Sequence, residues 1–153
     1  MVFPPASFDV IWNIECSEHF FDKPGFFARA GDWLRPGGRI ALCAWLAVEG
    51  PDRESLVRAV GDGFLCPSFG TAADYRSWLC DAGLRERLYA DVTPQVARTW
   101  EICQRRVRTI GGGFLARLGG RRMRCFVEHF ATLEQAYRTG AMQYGLFVAE
   151  KPT

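Results

Sequence analysis

The run from Phe8 to Leu46 constrains the fold more than any other part of this 153-residue chain. It opens with Phe8-Asp9-Val10-Ile11-Trp12-Asn13-Ile14, a short, mostly apolar stretch rich in aromatic and β-branched residues. That pattern predicts a strand covered on both faces, and hence a parallel sheet. Asp22 can then cap a helix with Pro24 in its first turn, and Phe26, Phe27, Ala30, Trp33 and Leu34 form one apolar stripe along it. The helix must stop at Arg35-Pro36-Gly37-Gly38, where proline fixes one turn position and glycine accepts the positive φ of the next. Arg39 to Leu46 (RIALCAWL) reads as a second buried strand, so the four pieces make a βαβ unit.

The rest of the chain continues in the same α/β manner. Residues 49–68 form a polar connection with a short helix predicted over Ser55 to Val60. Thr71 to Ala82 reads as a helix with a capping box made by Thr71 and Asp74, closed by Gly83. Leu84 to Val92 alternates as a strand with one wet face, residues 94–108 and Thr132 to Met142 are helical in pattern, and Tyr144 to Glu150 makes a last strand.

Composition enters as a filter. With 48% apolar residues the chain is of the ordinary globular class, and a formal charge of +2 marks neither a polyanion binder nor an acidic tail. The longest apolar run, Ile40 to Val48, is about half of what a membrane helix needs. No basic stretch precedes an apolar segment after Met1, so a cytoplasmic protein is expected. The six cysteines form no C-x-x-C pair and the two histidines, His19 and His129, are far apart, so no metal site is predicted; cysteines inside apolar runs read as small buried hydrophobes. Residues 98–124 carry eight arginines against one acid, Glu101, with glycines at 111–113 and 119–120. Neither phosphate-loop spacing can be read there, so the segment reads as the solvated basic face and hinge of a cap, and nucleic-acid binding is not expected.

Two stretches carry a resemblance. The run Phe8-Asp9-Val10-Ile11-Trp12-Asn13-Ile14-Glu15-Cys16-Ser17-Glu18-His19-Phe20, followed by Leu34-Arg35-Pro36-Gly37-Gly38-Arg39, resembles the class I S-adenosylmethionine-dependent methyltransferases, in particular the gamma-tocopherol methyltransferase-like branch. Ala136 to Phe147 looks like that branch's final helix and strand. The resemblance implies a partial Rossmann-like sheet: the last four strands, mostly parallel with an antiparallel final strand, plus a helical cap. Residues 1–93 and 131–153 would form the C-terminal half of the methyltransferase domain, and residues 94–130 the substrate cap. The family's G-x-G-x-G loop and ribose-binding acid have no counterpart among these residues. The chain is therefore expected to be a fragment, a misplaced start or one part of a split protein.

The resemblance also implies roles. Glu15, Glu18 and His19 would do the catalytic work, histidine because its ordinary pKa near 6.5 suits removing a proton from a hydroxyl or amine. Trp12, Asn13, Ile14 and Glu15 would line the methionine end of S-adenosylmethionine. Trp45, Trp100, Tyr137 and Met142 would wall an apolar pocket for a small-molecule acceptor, such as a prenylated quinol or a polyketide-like or glycosylated compound. The strand Phe8 to Ile14 would be an unpaired edge, which predicts a homodimer or a partner chain that supplies the missing half-sheet. A non-catalytic interaction subunit pairing through that edge is the alternative reading.

Overall fold

A computed structural model describes residues 3–50, 52–109 and 119–153. The βαβ unit forms as its sequence dictates. Strand β1 (Phe8–Ile14) leads through a 3-10 turn (Ser17–His19) to helix α1 (Lys23–Trp33) and strand β2 (Leu34–Ala47). The Asp22 side chain accepts the Gly25 N–H at 2.9 Å, capping α1 with Pro24 in its first turn. β1 and β2 pair in parallel, and their register shifts between Phe8 and Val10, where β2 inserts Pro36-Gly37-Gly38. Gly37 sits at φ +78°, and a Cβ on Gly38 would meet the Arg35 carbonyl at 2.8 Å, so only glycine fits both positions.

Helix α2 (Glu54–Phe64), helix α3 (Ala72–Asp81), strand β3 (Arg85–Asp91), helix α4 (Thr93–Thr109), helix α5 (Gly120–Arg138) and strand β4 (Met142–Glu150) follow. The capping box of Thr71 and Asp74 is formed. The sheet order is β1-β2-β4-β3, with β4 antiparallel to both neighbours and β1 at an edge. A partial Rossmann-like sheet of four strands with an antiparallel last strand is therefore present.

Four predicted elements differ from those observed. β2 begins at Leu34 rather than Arg39, so the predicted turn at Arg35-Pro36-Gly37-Gly38 is an irregular start to the strand. α2 runs well past the predicted Ser55–Val60, because Gly61 and Gly63, poor helix formers in isolation, are where neighbours come close: a Cβ on Gly63 would run into the His129 ring of α5, and one on Gly61 would meet the Cys66 carbonyl at 3.0 Å. α5 begins at Gly120 rather than Thr132, and Met142 belongs to β4, where it pairs with Ala47. β1 is not covered on both faces. The glycines at 111–113 and the arginine at 117 lie outside the described residues, and the side chains of 107–109 and 121–126 do too.

Alternation divides the sheet into two unlike faces. On one, Ile40, Leu42, Ala44 and Leu46 of β2 join Phe147 and Ala149 of β4, and α1 and α3 cover them with Phe27, Ala30, Tyr75 and Leu79. On the other, Trp45 of β2 and Tyr144 of β4 pack against α2, α4 and α5 through Val60, Trp100, Leu133 and Tyr137. That helical layer covers only one end of its face. Farther along, Val10, Trp12 and Ile14 of β1 are 61%, 70% and 44% exposed, because no described element packs over them.

The two lysines of the sequence both close the frame. Lys151 Nζ donates to the carbonyls of Gly31 and Leu34 at 2.7 and 2.9 Å, meeting the negative end of α1. Lys23 is buried and donates to the Phe20 carbonyl at 2.8 Å and Ser68 Oγ at 2.9 Å. Among the described residues no helix is long and apolar enough to cross a membrane. Five described cysteines are free; Cys66 is buried as anticipated, whereas Cys16 and Cys80 are exposed.

Candidate functional site

The carboxyl end of β1 turns sharply, and that turn builds the site. Glu15 holds φ at +47°, a left-handed conformation rare for a side chain of its size, while its N–H still donates to the Cys43 carbonyl at 3.0 Å. The Glu15 carboxylate lies within reach of the far end of the chain, where the Tyr144 hydroxyl donates to Oε1 at 2.9 Å. The 3-10 turn then buries Ser17 and Glu18 and leaves His19 exposed. Ser17 Oγ shares a hydrogen bond with the buried Tyr75 hydroxyl at 2.8 Å, which fixes the turn against α3.

Glu18 is 2% exposed. Its Oε1 accepts the Trp45 backbone N–H at 2.5 Å, and its Oε2 has no partner among the described residues. Burial is the main reason its carboxyl is pushed above the ordinary value, with the bond from Trp45 opposing and the Glu15 charge assisting. The same burial pulls the neighbouring Lys23 ammonium down, against the opposing pull of Glu18 and Cys66. Burial and then the Glu18 charge push the Cys66 thiol up to about 11, so this cysteine is a thiol rather than a nucleophilic thiolate at neutral pH. His19 Nδ1 stands 3.4 Å from the Leu65 carbonyl and 3.7 Å from Cys66 Sγ. A carbonyl can only accept, so that contact favours the tautomer with the proton on Nδ1 and a free lone pair on Nε2.

Two hollows meet at this turn. A groove of about 810 Å³ runs along the outer side of β1, lined among others by Phe8, Val10, Trp12, Asn13, Phe26 and Trp33. A smaller cavity of about 280 Å³ lies under the helical layer, lined by Glu15, Glu18, His19, Trp45, Phe64, Cys66, Trp100 and Phe130. His19 lines both. Trp45 stands between Trp100 and Phe64, with ring centroids 5.2 and 5.3 Å away and both contacts edge-on.

The geometry thus gathers Glu15, Glu18, His19, Trp45 and Trp100 around one cavity. Trp12 and Asn13 face the outer groove instead. Tyr137 packs behind Trp100 at 5.7 Å, and Met142 is fully buried in the same cluster; neither lines the cavity. Phe64, Cys66 and Phe130 complete the cavity although the sequence pattern did not single them out. The sequence signal for Phe64 and Phe130 is the apolar periodicity of α2 and α5, and for Cys66 its place in an apolar run after α2; both specify burial and not what is buried against.

Known proteins share this fold. A sequence model of the methyltransferase domain family matches residues 1–42. The 27-O-demethylrifamycin SV methyltransferase of Amycolatopsis mediterranei is 30% identical across 98% of the chain, which covers 55% of that protein. The chloroplastic tocopherol O-methyltransferase of Arabidopsis thaliana is 24% identical, again over 98% of this chain and 45% of its own length. In fold, the Haemonchus contortus phosphoethanolamine N-methyltransferase 2 solved with S-adenosyl-L-methionine superposes with a TM-score of 0.81, at 20% identity, over 99% of this chain and 35% of that one. These likenesses support a class I S-adenosylmethionine-dependent methyltransferase domain similar to that of the tocopherol methyltransferases. The chain spans about half the length of the curated relatives it matches, a share that fits their C-terminal part.

Proposed function

We propose that this chain forms the acceptor-binding half of a small-molecule methyltransferase, which transfers a methyl group to an oxygen, nitrogen or carbon acceptor. The observation that carries the reading is the position of His19, which lines both the outer groove and the aromatic cavity. In this reading residues 1–93 and 131–153 are the domain and residues 94–130 the substrate cap.

S-adenosylmethionine, the cofactor of the family, supplies when bound a methyl group on a sulfonium sulfur. Trp12, Asn13, Ile14 and Glu15 are the residues that would hold it. The fit rests on Asn13, which is buried, lines the groove and leaves Oδ1 without a partner among the described residues, beside the exposed indole of Trp12. An unsatisfied amide oxygen suits an ammonium donor, and an exposed indole suits a flat ring. On the acceptor side, Trp45 and Trp100 orient the substrate and exclude water. The Nε2 lone pair of His19 takes the proton that a hydroxyl or amine must lose, and Glu15 or Glu18 stabilises the imidazolium that results.

The open edge and bare face of β1 favour association as part of the function. We place a homodimer, or a partner chain that supplies the missing half-sheet, against Val10, Trp12 and Ile14, in a cytoplasmic protein. A non-catalytic interaction subunit would use the same surface, and the catalytic test separates the two. The chain is combined with a separately produced N-terminal portion of the rifamycin relative, labelled S-adenosylmethionine and a panel of phenol, enol and amine acceptors. Label transfer that drops about 100-fold or more with His19→Ala is expected of a general base. Association and cofactor binding without any transfer would leave the interaction subunit.

A further inference from the structure

The cavity at the turn has a charge and a wall composition that together select a ligand class. Among its described lining residues are two carboxylates, Glu15 and Glu18, and no lysine or arginine. Four of the eight lining residues are aromatic: Trp45, Trp100, Phe64 and Phe130. Aromatic faces carry negative potential and attract cations, most strongly where water is excluded. Glu18 adds an independent sign of a missing partner, since it is 2% exposed, lines the cavity, and leaves Oε2 unpaired among the described residues. The nearby ammonium of Lys23 is committed elsewhere, to Phe20, Ser68 and the Glu18 backbone carbonyl. The Glu15 and Glu18 charges are felt beyond the cavity wall: after burial itself, they are among the causes that push Tyr137 and Tyr144 up.

We propose that this cavity binds an organic ammonium group, with the cation held against the indole rings of Trp45 and Trp100 and within reach of Glu18, so that the acceptor class is an amine. The identity of the acceptor rests on the methyl-transfer reading given above; the binding of the cation does not. An uncharged phenol or enol can donate a hydrogen bond to Glu18 Oε2 but brings no charge to balance the two carboxylates or to meet the aromatic faces. Trp45 Nε1 and Trp100 Nε1 are also without partners among the described residues, so the ligand should carry a neutral acceptor such as a hydroxyl beside its cation; a phosphate or carboxylate is opposed by both glutamates.

The test compares two probes of the same shape on the 153-residue chain, choline and its uncharged isostere 3,3-dimethylbutan-1-ol. Binding is read by calorimetry and by the indole fluorescence of the chain, neither of which requires cofactor or turnover. Choline is expected to bind about tenfold or more tightly than the alcohol, the preference of a desolvated cation–aromatic contact. Glu18→Gln should collapse most of that ratio, and Trp100→Leu, which keeps an apolar side chain but removes the ring, should lower it independently if Glu18→Gln fails to fold. Equal affinity for the two probes, tighter binding of the alcohol, or no choline binding at all would overturn the inference. Selective choline binding by a chain that transfers no methyl group to any amine, even in the complemented assay, would keep the cation site and defeat the methyltransferase reading instead.

Discussion

The Tyr144 hydroxyl donates to Glu15 Oε1 across 129 residues of sequence, joining the start of the last strand to the turn after the first. Trp45 faces Tyr144 in the sheet register, and the Trp45 N–H donates to Glu18, so two acids of one turn are held by two neighbouring strands. The site is therefore positioned by sheet register, which a loop-borne site would lack. A buried phenol such as that of Tyr144, donating to a carboxylate, is worth about 1–3 kcal/mol. Tyr144→Phe is expected to lose about that much stability in urea unfolding, without a change in the slope against denaturant. Unchanged stability would mean that Glu15 finds an equivalent partner in water.

The face of β1 that carries Val10, Trp12 and Ile14 gives an assembly prediction. Trp12 is 70% exposed, so replacing it with lysine removes little packing within the chain. Burying Val10 and Trp12 at an interface is worth roughly 1.5–3 kcal/mol for each side chain. Sedimentation of Trp12→Lys is expected to show weaker self-association than the parent chain by about tenfold or more, with a thermal midpoint close to the parent's. A parent chain that already sediments as a monomer at tens of micromolar would remove this surface as the contact.

How much of this was legible follows from where the information sits. The path from β1 through α1 to β2 could be read because each piece is specified locally: Asp22 caps, Pro24 starts, and Pro36-Gly37-Gly38 turns. The sequence pattern shows only the second half of α5, because its first turns carry Gly120 and three arginines, and the apolar stripe becomes clear only near Leu133. Glu15, Glu18 and His19 were legible as a polar cluster after a strand. The burial of Glu18 was not, since it is set by Trp45, which lies 27 residues away, and by the packing of α2 and α5. The uncovered face of β1 was legible in composition alone only as buried strand, because a sequence pattern records that a side chain is suited to burial and not whether this chain supplies the cover.

Lys151 offers a test of the frame away from the site. Its ammonium donates to the Gly31 and Leu34 carbonyls at the end of α1, groups that an α-helix leaves without partners. Lys151→Met keeps the aliphatic stem and removes both bonds and the favourable charge at the helix end, so a loss of about 1–3 kcal/mol is expected by chemical denaturation. A loss confined to a few tenths would show that water satisfies both carbonyls.

Two glutamates should give the chain opposite responses to acid, and the signs follow from their surroundings. Glu150 accepts from Arg87 at 2.6 Å and from Arg39 at 2.9 Å, and these two hydrogen bonds hold its carboxyl at about 2. Its folded value lies below its unfolded one, so its contribution is complete above the ordinary value of 4.5 and is lost as pH falls toward 2. Glu18 is the reverse case. Burial raises its folded value, so the native state holds the proton more tightly than the unfolded chain does, and stability from this group is lost as pH rises above 4.5 toward the raised value. The measurement is the difference in melting temperature between each glutamine variant and the parent, taken from pH 2 to pH 8, which cancels the titration of every other group. Parent minus Glu150→Gln should be greatest near neutrality and shrink as pH falls from 4.5 to 2. Glu18→Gln minus parent should grow as pH rises from 4.5, because glutamine still offers an oxygen to the Trp45 N–H but never carries a buried charge. A Glu18→Gln offset that stays constant across the range would mean that Glu18 is solvated in the folded chain, which its 2% exposure contradicts.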